Sequence, residues 1–296
     1  EFEGFLQQLT PPRRLQAADL DDVRAYAQHL IEAGRNERAR FVALYHYADL
    51  IGNHEMMQGV VDLLGGFEML GRLCERVASE LGADVRDRVF AGLDLPVLGT
   101  PPIEWVRVMS TAMPRLEAEA DPATVKQVLD DGIRDLRDEG YADFKQRFEE
   151  SESLDAFLED RRLRHLDMLR KHRDEGTLYY DQPITDDLVD FVEQHPEIGG
   201  GIREGNTIIE IKIPHRGAEY LATDDVRMKQ YHVCHCPLVK ESIPRDDLPI
   251  PSSICEICPS HNRKPWEVAY GCKLQSEVVE SALRGALWCK FAIDLP

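Results

Sequence analysis

Ala286-Leu287-Trp288-Cys289-Lys290-Phe291-Ala292-Ile293-Asp294, close to the C-terminal end of the chain, alternates residue by residue. Leu287, Cys289, Phe291 and Ile293 fall on one side, and Trp288, Lys290, Ala292 and Asp294 on the other. A period of two sends the first set to one face of a strand, and Arg284-Gly285 just before it is a turn signal. Residues 274–283 are expected to supply its partner strand, with a short helix at 265–270 preceding them. Farther upstream, 206–213 alternates in the same way, Ile208, Glu210 and Lys212 opposing Thr207, Ile209, Ile211 and Ile213.

Before these strands the period is that of a helix. Over 18–34, Leu20, Val23, Tyr26, Ala27, Leu30 and Ile31 recur at three- and four-residue spacing, and Gly34 supplies a stop. The pattern repeats over 37–51 with Phe41, Leu44 and Ala48, and over 55–81 with Met56, Val60, Leu63, Leu70 and Leu73. Pro96, Pro101 and Pro102 interrupt it. Helices are then predicted over 103–118, 122–139, 141–150 and 153–174, with Asp121-Pro122 and Ser153 as start signals. The 153–174 segment is so heavily charged that it reads as a solvated connector. A short helix from Thr185 to His195 follows, and Gly199-Gly200-Gly201 reads as a flexible turn without the flanking pattern of a phosphate-binding loop. The expected fold class is α+β: an all-helical domain or bundle over 1–175, then a smaller α+β domain with a cysteine metal site over 176–296.

Composition narrows the function classes. The net charge is -19, and residues 230–296 carry 7 Lys/Arg against 8 Asp/Glu, so nearly all the negative charge lies upstream of them. An acidic body repels phosphate backbones, which argues against nucleic acid as a partner. No apolar run approaches the roughly 20 residues that span a bilayer, which argues against a membrane.

Six of the seven cysteines fall in the last 63 residues, four of them as Cys234-His235-Cys236-Pro237 and Cys255-Glu256-Ile257-Cys258-Pro259. Two close-spaced pairs, each followed by proline, can present four sulfurs to zinc or to an iron–sulfur cluster. Cys234, Cys236, Cys255 and Cys258 are therefore the expected metal ligands, with zinc preferred. The odd cysteine count argues against disulfides and for a reducing cytoplasm. In an extended 232–236 segment, His232, Cys234 and Cys236 share one side and His235 faces away. His232 is then a third ligand, an adjacent acid/base or a half-buried strand histidine, while His261 is spaced compatibly with ligation. Glu267, Glu277 and Glu280 are the carboxylates nearest in sequence, and Cys272 is a reactive thiol if a cation lowers its pKa. Cys289 reads as core. The catalytic candidates are thus His232, Glu267 and Cys272. In the helical half, His46, Asp49, His54 and Glu55 lack the second Glu-x-x-His that a di-metal bundle requires.

Together with Trp266-Glu267, Glu280-Ser281-Ala282-Leu283-Arg284-Gly285 and Cys289-Lys290-Phe291-Ala292-Ile293, the two cysteine pairs resemble the 4-vinyl-reductase and aminothiazoline-carboxylate-hydrolase-like group over the last 65 to 110 residues. Ala286 stands where that group carries an acidic residue. The resemblance implies a small α+β domain that binds a small molecule, cysteines that hold zinc, and hydrolase-like chemistry. The sequence also leaves room for a non-enzymatic sensory or interaction module with a structural zinc and a protein partner or second copy, and for an iron–sulfur redox protein. An enzyme needs an open metal position, whose bound water has its pKa lowered toward about 7, whereas four sulfurs close the site.

Overall fold

Asp19 starts the first long helix, Leu20–Glu32, through a reciprocal cap: its carboxylate accepts from Asp22 N at 3.0 Å, and that of Asp22 accepts from Asp19 N at 3.1 Å. Val23, Tyr26, Ala27 and Leu30 then fall on one stripe and are buried. They pack with Phe41, Leu44 and Ala48 of Arg38–Leu50 and with Met56, Val60 and Leu63 of His54–Leu64. The periodicity over 55–81 proves to be two helices, His54–Leu64 and Phe67–Leu81. Gly65 and Gly66 separate them. A Cβ on Gly66 would stand 2.6 Å from the Trp105 ring, so the bare glycine lets the indole lie against the backbone. The computed structural model describes residues 1–296.

The helices Phe67–Leu81, Pro102–Glu119 and Pro122–Asp130 bury Leu73, Trp105, Met109, Met113 and Val128 in the largest core. That same core takes in Cys234, Cys236, Ile254, Ile257, Val278 and Phe291, so the packing runs across residue 175. The helix expected over 122–139 ends at Asp130, where Gly132 takes a positive φ of 79° and turns the chain back.

Two sheets follow. The smaller is a hairpin of β1 (Leu178–Tyr179) and β2 (Gln182–Pro183), whose turn residues Tyr180 and Asp181 both have positive φ, 47° and 59°. The larger has the order β3-β4-β6-β5 and is antiparallel throughout: β3 is Ile202–Glu204, β4 Thr207–Ile211, β5 Gln275–Glu280 and β6 Lys290–Asp294. Ile208 pairs with Ile293, Glu210 with Phe291 and Val278 with Phe291, which puts these side chains on one face. Phe157, Leu158 and Trp266 pack on Ile208 and Ile293 at that face, from helices Leu154–Glu175 and Pro259–Tyr270.

The fold is α+β with a helical N-terminal part, as the sequence indicates. The Leu154–Glu175 helix is not a solvated connector, because Phe157, Leu158, Leu166 and Leu169 form a buried stripe beneath its charges. Residues 226–233 are helical too (Val226–Val233), so the strand alternation expected from His232 through Cys236 does not hold.

Candidate ligand cavity and thiol cluster

Five cysteines gather behind β6. Cys234 closes the Val226–Val233 helix in an extended conformation, and Cys236 follows before Pro237. Cys255 lies in the 3-10 turn Ser252–Ile257, and Cys258 precedes Pro259, which opens the Pro259–Tyr270 helix at a position where a missing N–H costs nothing. Cys289 adjoins the first residue of β6. All five are buried, none is in a disulfide, and together they line a void of about 10 Å³, the room of roughly one water-sized sphere.

The thiols differ electrostatically. A hydrogen bond from Cys236 holds the Cys258 sulfur well below the usual thiol range, helped by Lys212 and Arg134 against its burial. The same bond, and then burial, push Cys236 up. Burial raises Cys234 to about 12 and Cys289 to about 11. Cys255 is raised by burial and eased by its hydrogen bond to Ser281. As the side chains stand, no three His, Cys, Asp or Glu groups are disposed to hold a metal ion. Sulfurs bonded in this way to each other and to Ser281 have no reason to point at a common centre.

Next to this void opens a cavity of about 550 Å³, and Lys212 and His235 line both. The Leu154–Glu175 helix contributes Arg161, Arg164, His165 and Met168; the β1–β2 hairpin contributes Tyr179, Tyr180 and Asp181; the chain leaving β4 contributes Lys212, Ile213 and His215. His261 and Asn262 come from the first turn of Pro259–Tyr270, Phe144 from Ala142–Glu150, Tyr141 from the 3-10 turn Asp138–Tyr141 and Arg134 from the irregular stretch before it. The two positive-φ residues of the hairpin, uncommon for side chains other than glycine, both face this cavity.

A buried carboxylate organises one wall. Glu210 Oε1 accepts from Arg161 Nη1 at 2.5 Å and from Trp266 Nε1 at 3.0 Å, and Oε2 accepts from Asn262 Nδ2 at 2.6 Å. Arg161 also donates to Gly200 O at 2.8 Å and lies over the Phe144 and Trp266 rings. The triple glycine is therefore a packed element, contrary to the expected flexible turn. A Cβ on Gly199 would stand 2.1 Å from His165 Cδ2, and one on Gly200 2.9 Å from Arg162 Cβ.

Four histidines line the cavity, all held neutral. Burial, and then Arg161, lower His165 to about 4; burial, Lys212 and Arg134 lower His261 to about 3. Burial and Lys212 lower His235 to about 3, while its Nε2 donates to Ile213 O at 2.7 Å. His215 is depressed by burial and by Lys240, whose Nζ donates to its Nδ1 at 2.8 Å. Burial and Arg216 lower Lys240 itself to about 8.

The structure brings Cys234, Cys236, Cys255 and Cys258 to one void and adds Cys289, which alternation identifies only as core. His235, expected to face away, lines that void. His232, Glu267 and Cys272 line neither cavity. His232 lies on the Val226–Val233 helix with its buried Nδ1 unpartnered. Glu267 is buried in ion pairs with Arg263 at 3.0 Å and Lys273 at 3.5 Å, and Cys272 is exposed beyond the helix end. His46, Asp49 and Glu55 are exposed on their helices. The cavity residues Arg134, Tyr141 and Arg161 carry no motif; the only sequence signal for Lys212 is its alternation with Glu210.

No protein-family model, curated protein or solved structure matches the chain.

Proposed function

We propose that this protein binds a small molecule in the 550 Å³ cavity, beside a zinc–thiolate centre held by Cys234, Cys236, Cys255 and Cys258. The observation that carries this reading is the common wall: Lys212 and His235 belong to both spaces, so whatever fills one is felt in the other. The donor chemistry suits the metal, and binding would require the thiols to turn from their present partners toward one centre. Thiolates are soft donors suited to zinc. Zinc bound by four sulfurs supplies no reactive position; it ties the 234–237 and 255–258 turns together and so stiffens the cavity wall. A reducing, cytoplasmic setting suits seven free cysteines.

The placement of the catalytic candidates favours binding over metal hydrolysis, since His232, Glu267 and Cys272 all lie off the cavities. The four cavity histidines add little to a hydrolase-like reading, because burial and neighbouring cations hold them so far below the usual imidazole value that they are weak bases at pH 7.

Elemental analysis of anaerobically purified protein, with X-ray absorption at the metal edge, tests the reading. One zinc with four sulfur neighbours is expected. Zinc with nitrogen or oxygen neighbours would move the function to the metal, and protein without metal would overturn the proposed centre.

A further inference from the structure

The large cavity has an excess of hydrogen-bond donors. Its carboxylates are taken: Glu210 by Arg161, Trp266 and Asn262, Asp143 by Arg147 at 2.8 Å, and Asp181 by the Tyr45 hydroxyl at 3.2 Å. Arg164 has Asp160 at 2.7 Å. Arg134 and Lys212 have no carboxylate partner, and the Nε and Nη2 of Arg134 are buried without any acceptor. Lys240 can only donate to His215 Nδ1, which leaves the neutral ring with its proton on Nε2, a third free donor on the cavity wall. Arg134 is half-buried and bonds the Cys258 sulfur, yet two of its three nitrogens stay buried without an acceptor, which is costly, and a planar oxyanion is the group whose geometry they match best.

We propose that the ligand of this cavity is a small oxyanion, carboxylate or phosphate, borne on an aromatic body. Arg134, Lys212 and His215 receive the oxyanion, and the rings of Tyr141, Phe144 and Tyr179 enclose the body. Asn262 Oδ1, also buried without a partner, accepts from a hydroxyl or amine of the ligand. The inference rests on the cavity being a ligand site and names what it takes. In a protein of net charge -19, two cations without carboxylate partners lining one cavity distinguish that space from the surface at large. The competing role for Arg134 and Lys212 is to balance the thiolate charge next door, and it makes a different prediction for the metal.

The test is a titration of the full-length protein, its metal content measured on the same sample, with benzoate, phenyl phosphate and benzyl alcohol. Calorimetry provides the readout, with tryptophan fluorescence as a check. One anion is expected to saturate a single site at least about tenfold more tightly than the neutral alcohol, the tighter of the two identifying carboxylate or phosphate. Arg134→Gln is expected to erase that preference while bound zinc stays constant. Equal binding of all three probes, or binding of none, would overturn the proposal, and the wild-type titration alone decides this even where the variant fails to fold. A variant that loses zinc yet keeps the anion preference would assign Arg134 to the thiolates instead. Anion binding by metal-free protein would separate this inference from the zinc reading, sparing the first and sinking the second.

Discussion

Arg161 Nη1 lies 2.5 Å from Glu210 Oε1 and joins the Leu154–Glu175 helix to the sheet where the cavity wall is built. The carboxylate is almost fully buried and its three donors satisfy both oxygens, so removing one partner strands a charge in a poor solvent. Arg161→Ala is expected to destabilise the fold by about 3–5 kcal/mol, with a smaller loss for Glu210→Gln, which keeps the shape and removes the charge. Urea denaturation would measure both, and a cost below about 1 kcal/mol for Arg161→Ala would refute the organising role given to the pair.

The thiol cluster holds one sulfur more than a tetrahedral site uses. With Cys234, Cys236, Cys255 and Cys258 as ligands, Cys255→Ser should lower bound zinc and the melting temperature together, because metal affinity is part of the folding free energy. Cys289→Ser should leave zinc unchanged and cost only the burial of a hydroxyl, about 1–3 kcal/mol. Zinc lost from the Cys289 variant but kept by the Cys255 variant would exchange their assignments.

What is legible in the sequence follows from the range of the interaction. Alternation places β6 and its partner strand β5, and caps such as Asp121 and Ser153 mark helix starts, because those signals are local. The pairing of β4 with β6 joins residues roughly eighty positions apart and leaves no local trace. Charge misleads over 154–175, where four buried apolar residues outweigh a polar majority that simply faces water. Alternate spacing misplaces His232, because it suggests a strand in a segment that the Asp225 side chain caps as a helix through Arg227 N and Met228 N. Cysteine spacing does bring four thiols together at the void. The cavity beside it has no signature in the sequence, since Arg134, Tyr180, Lys212 and His261 meet only once the chain has folded.

Acid should weaken this protein through its buried histidines. His165 titrates near 4 in the fold and His261 near 3, against about 6.5 when unfolded, so between these values the unfolded chain binds more protons. Their contribution is complete above about pH 6.5 and is lost as pH falls through 6.5 toward 4 and then 3. Replacing His165 with Gln should flatten the pH dependence of the urea midpoint between pH 6.5 and 4. Parallel curves for wild type and variant would show that His165 is not held neutral in the fold.

Two glycines with positive φ separate backbone strain from packing. Gly205 has φ 63° with open space where a Cβ would go, so Gly205→Ala should cost about 1–2 kcal/mol, the penalty of a left-handed conformation alone. Gly199 has φ 76° and also faces His165, where a Cβ would stand 2.1 Å from Cδ2. Either the ring leaves its place on the cavity wall or the loop lifts from the helix, and both add overpacking to the strain, roughly 1–3 kcal/mol more. Gly199→Ala is therefore expected to lower the unfolding midpoint well beyond Gly205→Ala and to change the His165 ring resonances in an NMR spectrum. If the two substitutions cost the same, His165 does not rest on the Gly199 backbone and that wall of the cavity is built otherwise.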